Sequence, residues 1–401
     1  MKRFFLTFFA AASVGIVAAQ TCLFHTGDEK GVPYRIPAIV TAKNGDVVAL
    51  SDIRPCGNDI GYGRVDILQR VSKDNGKTWS DVETVLEGSG KGEDCGYGDA
   101  CLVADRCRDE LLLVCVSGDV PYWQSRIDHK QRIVCTHAKY NKKTQKWEWE
   151  KQPKDLTSMV YTDLLGNQIN GLFMGSGRIC QSKKIKVGKY YRIYGALCTH
   201  KGNFVIYSDD FGYNWKVLGN ANESCARYGD EPKCLELPDG SVLLSSRKDY
   251  GRFFNIFRYT DEKEAKGTWG AAVATDKVEG GIKNQARGTN GEVLLLDAVR
   301  TADGKKTKVV LQSVPAGPGR TNVTIYWKEL NSQADYLTPL AFSKNWNGSY
   351  LVTDKGSAYS CMTLQRDNTI GFFYEEEPQY YQMMYKRLTL EEITKGALKL
   401  K

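Results

Sequence analysis

The chain has 401 residues, of which 42% are hydrophobic and 25% are charged. Its formal charge of +8 is spread along the sequence, whereas nucleic-acid-binding proteins concentrate basic residues in a patch or stripe. We therefore exclude nucleic acid as a partner and expect at most a mild steering of anionic substrates. No low-complexity or Pro/Ser/Gly-rich linker divides the sequence into separate parts.

The first twenty residues have the pattern of a secretory signal peptide. Lys2 and Arg3 give a basic start, residues 4–19 carry no charge, and the segment ends on small residues; this is the composition of an export signal. We expect residues 1–20 to be removed, or alternatively to remain as an uncleaved anchor. No later run approaches the ~20 apolar residues that a membrane-spanning helix needs. Residues 21–401 are thus predicted to be a secreted or exported protein, at the cell surface, in the periplasm or in a lumen.

Short apolar runs separated by Gly, Asn and Asp recur through the rest of the chain. Examples are residues 47–50, 110–116, 190–197, 242–245, 293–297 and 370–374. Several of these runs follow Asn-Gly or Asp-Gly pairs, which favour tight hairpin turns. Only residues 390–400 suggest a helical period, so the chain is predicted to be all-β with many short strands.

One eight-residue pattern occurs twice. Residues 72–79 read S-x-D-x-G-x-T-W and residues 208–215 read S-x-D-x-G-x-N-W, with weaker echoes at 141–147 and 260–269. The Asp can accept backbone N–H groups of its own turn, the Gly can adopt a positive φ, and the Trp can anchor the turn in apolar surface. The two copies lie about three units of ~45 residues apart, the length of a four-stranded propeller blade.

The spacing and length together predict a six-bladed β-propeller of four-stranded antiparallel sheets. Six blades of roughly 60 residues each, loops included, account for the whole of residues 21–401. Two unrelated β domains are the alternative.

All twelve cysteines follow the export signal. An even number of cysteines in an exported chain predicts several disulfides. Four of them crowd into one region, at Cys95, Cys101, Cys107 and Cys115, but without the paired C-x-x-C spacing of a zinc site, and the chain has only four His. We therefore predict no metal site.

The segment Tyr34-Arg35-Ile36-Pro37 near the start of the expected mature chain, combined with the repeated turn pattern, resembles the exo-α-sialidase (neuraminidase) family. The resemblance covers nearly all of residues 21–401, because several further segments occur in the family's order. It implies a single propeller domain with Asp-box repeats that acts as a retaining glycoside hydrolase.

The resemblance implies three arginines that bind the carboxylate of a sialic acid. They are Arg35, Arg247 in Leu-Leu-Ser-Ser-Arg, and Arg320 in Pro-Gly-Arg-Thr-Asn. Guanidinium groups suit this task because they stay charged and pair with a carboxylate through two parallel hydrogen bonds.

The nucleophile implied by the resemblance is Tyr359, in Gly-Ser-Ala-Tyr-Ser. A carboxylate nucleophile would be repelled by the substrate's own carboxylate, and sialidases use a tyrosine instead. Because a phenol has a pKa near 10, it needs a base to attack at neutral pH. Glu231 is the implied base, with Asp230 and Glu236 as competing candidates.

The implied acid/base is Asp59, which would protonate the leaving oxygen and then activate water. Asp52 is interpreted as a residue at a strand end, and Asp66 as a structural or supporting residue. Arg54 resembles the family arginine that contacts the substituents of the sugar ring.

Three further residues complete the predicted site. Glu375 resembles the carboxylate that orients Arg35, although Glu376 or Glu377 could take this place. Asp99 resembles an acidic position near the glycerol or amino side of the sugar. Trp123 either lines the N-acetyl pocket or the leaving-group side, or is an ordinary core tryptophan.

The resemblance therefore implies an exo-α-sialidase that releases terminal sialic acids from glycans, glycoproteins or glycolipids, without a metal or organic cofactor. A propeller domain needs no partner to close its sheet edges, so we expect a monomer, although the sequence leaves the oligomeric state open. A trans-sialidase is the first alternative, but residues 315–319 contain no aromatic residue that could serve there as an acceptor platform. The second alternative is a non-catalytic carbohydrate-binding propeller, which would have no reason to carry the full catalytic set.

Overall fold

The computed structural model describes residues 20–26, 32–285, 287–377 and 381–401. The predicted export signal lies outside these residues, apart from its last position, Gln20. In the described part, no helix is long and apolar enough to cross a membrane.

Six small sheets surround a central axis, which confirms the predicted all-β six-bladed propeller. The chain enters through β1 (Thr21–Phe24), which belongs to the last blade. The first blade contains β2 (Tyr34–Thr41), β3 (Val47–Ile53), β4 (Asp66–Ser72) and β5 (Glu83–Leu86). The second contains β6 (Tyr97–Ala104), β7 (Glu110–Ser117), β8 (Arg132–Asn141), β9 (Lys146–Trp149) and β10 (Lys154–Asp155). The third contains β11 (Leu172–Met174), β13 (Cys180–Val187), β14 (Tyr190–Thr199), β15 (Gly202–Ser208) and β16 (Lys216–Val217).

The remaining blades follow the same plan. The fourth contains β17 (Pro232–Glu236), β18 (Val242–Lys248), β19 (Gly251–Asp261), β20 (Lys266–Trp269) and β21 (Val273–Ala274). The fifth contains β22 (Val293–Arg300), β23 (Lys306–Pro315), β24 (Val323–Leu330), β25 (Gly348–Leu351) and β29 (Leu398–Leu400). The sixth contains β26 (Ser360–Leu364), β27 (Ile370–Glu376) and β28 (Gln382–Leu388), and β1 is its outermost strand.

Two details differ from the predicted four-stranded plan. Only two sheets have four strands, since short added strands widen the other four. One of them, β12 (Gly177–Arg178), pairs with β6 in parallel. The suggested C-terminal helix is also shorter than its pattern, because α2 covers only Leu390–Ile393 and the chain then returns as β29.

The other helical segments are short and lie in loops. They are α1 (Pro339–Ser343), 3₁₀ turns at Gly92–Asp94, Tyr122–Gln124, Thr275–Lys277 and Gln333–Tyr336, and a π-helical turn at Met159–Leu164.

The apolar core is divided into six layers, one between each pair of neighbouring blades. The layer between the sixth and first blades contains Phe24 of β1, whose ring lies 5.6 Å from that of Tyr34 and 6.2 Å from that of Phe373. β1 thus pairs with β28 within the sixth blade, while its Phe24 packs against Tyr34 of the first blade.

The two copies of the repeated pattern form the turns between β4 and β5 in the first blade and between β15 and β16 in the third. In the first copy, Asp74 Oδ1 accepts hydrogen bonds from the backbone N–H of Lys77 and Thr78 at 3.1 and 2.9 Å. Burial alone would raise the pKa of Asp74, but hydrogen bonds from Thr78 and Ser72 lower it to about 2. The Trp79 ring meets the Tyr385 ring edge-on at 5.0 Å, so this turn fastens the first blade to the sixth.

The prediction of disulfides is wrong. The described residues contain all twelve cysteines, and no two of their sulfurs are bonded. In the pairing of β6 with β7, Cys101 lies opposite Val114, and successive side chains of a strand point to opposite faces of its sheet. Cys101 and Cys115 therefore lie in different core layers, with the sheet between them.

Candidate active site

A cavity of about 270 Å³ opens at the end of the propeller where the inner strands begin. Arg35 is the second residue of β2 and Asp99 the third of β6, while Glu231 and Tyr359 directly precede β17 and β26. Nine of the ten predicted site residues line this cavity: Arg35, Arg54, Asp59, Asp99, Trp123, Glu231, Arg247, Arg320 and Tyr359. The tenth, Glu375, is fully buried beneath Arg35.

Glu375 connects two of the predicted functional residues. One of its oxygens accepts hydrogen bonds from Arg35 Nε and from the backbone N–H of Ile36, both at 2.8 Å. The other accepts the backbone N–H of Tyr359 at 3.1 Å. Ile36 has a φ of 59°, which is unusual for a β-branched residue and is held here by the hydrogen bond to Glu375.

Glu376, the acid that follows Glu375 in the sequence, is not the partner of Arg35. Glu376 instead pairs with Lys355 at 3.1 Å and accepts the hydroxyl of Tyr374 at 3.3 Å. The alternative of a one-residue shift in favour of Glu376 therefore finds no support in the geometry.

The three arginines have different partners. Arg35 Nε lies 2.8 Å from Glu375, and Arg247 Nη1 lies 3.0 Å from Glu231. Among the described residues, Arg320 has no ion pair, and its buried Nε has no hydrogen-bond partner. Arg320 is half-buried, and a guanidinium partly withdrawn from water gains from a counter-ion, so Arg320 is the arginine best prepared to receive an anionic ligand.

The Tyr359 hydroxyl donates a hydrogen bond of 2.5 Å to Glu231 Oε1. Burial and the nearby Glu231 carboxylate raise the pKa of Tyr359 well above its usual value, against the opposing effect of Arg247 and Arg320. Without a ligand the phenol therefore keeps its proton. Glu231 lies where it can take that proton, and the guanidinium groups of Arg35 and Arg320 lie 5.6 and 5.8 Å from the centre of the phenol ring.

Glu236 and Asp230, the two competing candidates for the base, do not contact the Tyr359 hydroxyl. Glu236 binds Ser182 and the backbone N–H of Lys183, at the opposite end of β17. Asp230 lines the cavity, accepts the backbone N–H of Glu231 at 2.9 Å and lies 3.3 Å from Arg247 Nε. Asp230 thus positions Arg247, a contribution that sequence reasoning did not foresee.

A second charged cluster surrounds Arg54, which is only 6% exposed. Its guanidinium lies 3.1 Å from both Asp52 and Asp59 and 3.7 Å from Asp99. Burial, together with the charge of Asp59, raises the pKa of both Asp52 and Asp99. Asp59 differs from the other two carboxylates because its side chain is 63% exposed and reaches into the mouth of the cavity.

Trp123 is not a core residue, since it is 75% exposed at the rim of the cavity. Its ring stacks parallel to that of His200 at 6.0 Å and meets Tyr122 edge-on at 4.9 Å. Asp66 lies away from the cavity and bonds to Arg64 and to the backbone N–H of Gly88, which fits the structural reading of that residue.

Several cavity residues carry no sequence signal. They are Ile60, Tyr62, Pro121, Gln131 and Phe173. They come from loops and strands without any repeated pattern, and only their placement in three dimensions assigns them to the site. No group of three or more potential ligands in the described residues has the arrangement of a metal site.

Several known sialidases are similar to this chain over most of its length. A sialidase of Micromonospora viridifaciens is 27% identical over 363 residues, which is 86% of this chain and 50% of the relative. A sialidase of Bacteroides fragilis is 23% identical over 394 residues, which is 92% of this chain and 64% of the relative. A sialidase of Clostridium perfringens is 23% identical over 384 residues, covering 85% of this chain and 86% of the relative. The chain belongs to the sialidase family.

Solved structures show the same fold for this sialidase-family chain. The Hadza microbial sialidase Hz136 superimposes with a TM-score of 0.71 at 19% identity, covering 93% of this chain and 69% of that one. A leech intramolecular trans-sialidase superimposes with a TM-score of 0.71 at 17% identity, covering 96% and 72%. No family model matches the sequence. The chain spans about half of the M. viridifaciens sialidase and about two thirds of the B. fragilis one.

Proposed function

We propose that the protein is an exo-α-sialidase that hydrolyses terminal α-linked sialic acids from glycans, glycoproteins or glycolipids, with retention of configuration. The observation that carries this proposal is the 2.5 Å hydrogen bond between Tyr359 and Glu231 in a cavity lined by three arginines. A phenol nucleophile, an adjacent base and a carboxylate clamp are the groups that cleavage of a sialoside requires.

The first step places the substrate. Its carboxylate binds Arg320, which has no carboxylate partner among the described residues, and is shared with Arg35 and Arg247. These two arginines are already held by Glu375 and by Glu231. The clamp is therefore preorganised before the substrate arrives, and less free energy is spent on ordering it.

The second step forms a covalent intermediate. Tyr359 Oη attacks the anomeric carbon while Glu231 takes the phenol proton. The bond to the leaving oxygen breaks, and Asp59 gives that oxygen its proton. Asp59 then removes a proton from water, the water oxygen bonds to the anomeric carbon, and the electron pair of the breaking bond returns to Tyr359, which recovers its proton from Glu231.

Transfer to an acceptor is the second candidate, and one observation favours it. Trp123 presents an exposed ring at the cavity rim, which could hold an acceptor sugar in place of water. The absence of aromatic residues at 315–319 supports hydrolysis. Product analysis with sialyllactose, with and without excess free lactose, separates the two: we expect free sialic acid in both cases, and sialylated acceptor as the main product would contradict hydrolysis.

The proposed function is tested by release of methylumbelliferone from its α-sialoside. Wild-type protein should turn over this substrate, and Tyr359→Phe should lose most of the activity because the nucleophilic oxygen is removed. Tyr207→Phe is the matched control, since Tyr207 has the same 7% exposure but lies in a core layer far from the cavity. Equal activity of the wild type and Tyr359→Phe would contradict the assignment of the nucleophile.

Export through residues 1–20 is also part of the proposal. The basic start and uncharged stretch of this segment support it. N-terminal sequencing of protein recovered outside the producing cell should begin near residue 21, and an intact Met1 would contradict cleavage.

A further inference from the structure

We propose that a second cavity, at the end of the propeller opposite the candidate active site, binds a small organic carboxylate, that is, a carboxylate group carried on an apolar chain or ring. This cavity has a volume of about 260 Å³, close to the 270 Å³ of the active-site cavity. It is called the axial pocket here, and its walls include Arg106, Arg178, Lys183, Leu294 and Leu296. Binding there requires no catalysis and is therefore independent of the proposed function.

The axial pocket lies at the far end of the strands that position the active site. The last two residues of β2, β6, β17 and β26 line it. Arg35 and Asp99 instead stand at the second and third positions of β2 and β6, and Glu231 and Tyr359 directly precede β17 and β26. The two cavities have no lining residue in common. A ligand of the axial pocket therefore lies away from the catalytic groups.

A buried layer of side chains lies between the two cavities. Lys233 and Cys361 are the second residues of β17 and β26, between the residues that line one cavity and those that line the other. Glu292 Oε2 lies 3.6 Å from Lys233 Nζ and accepts a hydrogen bond from Cys361 Sγ at 3.1 Å. None of the three is more than 1% exposed, so the axial pocket is a separate space.

The wall of the axial pocket formed by the second and third blades is positively charged. Arg106 lies two residues beyond β6, Arg178 is in β12, and Lys183 is in β13. Arg106 and Lys183 are exposed, and neither forms an ion pair within the described part of the chain. Among the described residues that line the pocket, Glu236 is the only acid. Its oxygens already accept the Ser182 hydroxyl and the backbone N–H of Lys183, so the pocket has an excess of positive charge.

Arg178 is the cation best placed to bind an anion. Its Nη2 donates a hydrogen bond to the carbonyl of Val293 at 2.8 Å and lies 3.6 Å from Glu292, a carboxylate that it shares with Lys233. Its Nε is buried and has no hydrogen-bond partner among the described residues. A buried N–H without an acceptor is costly, and a carboxylate is the acceptor that suits a guanidinium best.

The facing wall of the axial pocket is apolar. Val40 of the first blade, Leu294 and Leu296 of the fifth and Leu364 of the sixth contribute to it. Leu364 is 38% exposed, so an apolar group that covers it gains from leaving water. A sugar acid such as sialic acid does not suit this wall, because its hydroxyl groups would lose water without finding partners. The charged and apolar walls together select an amphipathic anion.

The volume of the axial pocket limits the size of the ligand. At about 260 Å³, the pocket lies just below the range of about 300–1,000 Å³ that is usual for ligand sites. A carboxylate with a single ring or a chain of about eight carbons suits such a space. A longer chain would extend past the rim into water.

The test measures the binding of three probes by isothermal titration calorimetry at physiological ionic strength. They are sodium octanoate, sodium acetate and octyltrimethylammonium chloride. For the wild type we expect octanoate to bind with a Kd of about 0.1–1 mM. Acetate, which lacks the apolar chain, and the ammonium ion, which has the wrong charge, should each bind at least about tenfold more weakly. Similar affinities for all three probes, or no binding of octanoate at about 10 mM, would overturn the inference.

Variants locate the binding. Lys183→Glu should weaken octanoate binding by at least about tenfold, because an attracting charge becomes a repelling one. Lys184→Glu is the matched control, since Lys184 is the next residue and exposed but does not line the pocket, and it should change the Kd by less than about twofold. Arg178→Met, which keeps the apolar stem, should also weaken binding by about tenfold or more. Equal effects of Lys183→Glu and Lys184→Glu would contradict the assignment.

Two variants of the active site distinguish this proposal from the proposed function. Arg320→Ala and Tyr359→Phe should bind octanoate as the wild type does. Loss of octanoate binding in Arg320→Ala, with Lys183→Glu unaffected, would place the acid in the active-site cavity and overturn the inference. A wild type that cleaves sialosides but does not bind octanoate overturns only the inference. A wild type that binds octanoate through Lys183 and cleaves no sialoside supports the inference and contradicts only the proposed function.

Discussion

The three arginines of the site are half-buried and differ in whether the protein itself supplies a carboxylate partner. Arg35 and Arg247 each lie against a carboxylate of the protein, while Arg320 has none among the described residues. A substrate carboxylate would therefore gain its largest new interaction from Arg320 and smaller ones from the two paired arginines. This difference explains how the site can bind an anion while two of its cations remain oriented.

Asp59 is expected to matter in proportion to the basicity of the leaving group. A sugar alkoxide is a strong base and a poor leaving group, so its oxygen must be protonated as the bond breaks. Methylumbelliferone is a phenol whose anion is stable enough to leave without protonation. For Asp59→Ala we predict that kcat/KM falls by about 100-fold or more with sialyllactose, the usual size of a general-acid contribution, and by much less with the methylumbelliferyl substrate. Steady-state kinetics with both substrates measures the two losses.

Asp81→Ala is the control for this comparison, because Asp81 is an exposed carboxylate of the same blade that does not line the cavity. It should leave both rates unchanged. Equal losses with the two substrates in Asp59→Ala would argue against a role as general acid.

The carboxylates around Arg54 predict a pH effect on stability. Burial raises the pKa of Asp52 above the value near 4 that it has in an unfolded chain. A carboxyl group with a raised pKa in the folded state favours folding while it is protonated, and this contribution is lost as the pH rises through that pKa. The free energy of unfolding of the wild type, relative to Asp52→Asn, should therefore fall between about pH 4 and pH 7.

Denaturant unfolding of both proteins at several pH values measures this difference. Asn has no proton to lose, so the difference between the two proteins reports the titration of Asp52 together with that of Asp99, whose pKa the charge of Asp52 helps to raise. A difference that stays constant or rises with pH would contradict the account of the Arg54 cluster.

The residues of the site could be predicted to different extents. Tyr359, Glu231 and the arginines lie in local segments that carry a family resemblance. Asp52 reads as an ordinary strand-end residue, and its contact with the backbone N–H of Asp99 at 3.2 Å depends on how the first two blades pack. No local pattern encodes such a contact.

The repeated turn joins neighbouring blades and does not line the cavity. Gly76 has a φ of 77°, and a Cβ added there would lie 2.0 Å from the hydroxyl of Tyr385 in the sixth blade. Gly212 of the second copy has the same relation to Leu112 of the second blade, at 2.4 Å. In both copies, glycine is required by the backbone angle and by the close approach of a neighbouring blade.

These two requirements can be separated by substitution. Gly304 has a φ of 69° but no atom within 4 Å of an added Cβ. Gly304→Ala should cost about 1 kcal/mol from the backbone angle alone, whereas Gly76→Ala should cost clearly more because it also displaces Tyr385. Denaturant unfolding measures both values, and equal costs would mean that the contact with Tyr385 is unimportant.

The long strands of each blade could be predicted from the sequence, whereas the shortest strands could not. The turn pairs and apolar runs identify the long strands of each blade, because their signals are local. The short strands β10, β12, β16, β21 and β29 are two or three residues long, and they exist only because a neighbouring strand edge is available for pairing. The predicted disulfides failed for a related reason, since cysteine counts do not reveal which core layer each side chain enters.

The propeller is a ring of six blades that the first strand of the chain closes. β1 pairs with β28, and Phe24 is 1% exposed in the layer between the sixth and first blades. The ring closure therefore combines a few backbone hydrogen bonds with one large buried side chain. Loss of that side chain should weaken the contact between the two ends of the chain.

Phe24→Ala is predicted to lower the free energy of unfolding by about 3 kcal/mol, as expected when a buried Phe leaves a cavity. Phe24→Leu should cost much less, because it keeps most of the buried volume. Calorimetry of both variants measures the shifts in Tm. A shift for Phe24→Ala no larger than for Phe24→Leu would show that strand pairing alone closes the ring.

The proposed mechanism requires a covalent bond between Tyr359 and the substrate. A difluorinated sialic acid, with one fluorine as leaving group and a second on the neighbouring carbon, slows the breakdown of such an intermediate by destabilising its positively charged transition state. After incubation and proteolysis, mass spectrometry should find one sialyl adduct per chain, on the peptide containing Tyr359, in the wild type and in Tyr207→Phe but not in Tyr359→Phe. An adduct on Glu231 or Asp59, or its persistence in Tyr359→Phe, would contradict the proposed mechanism.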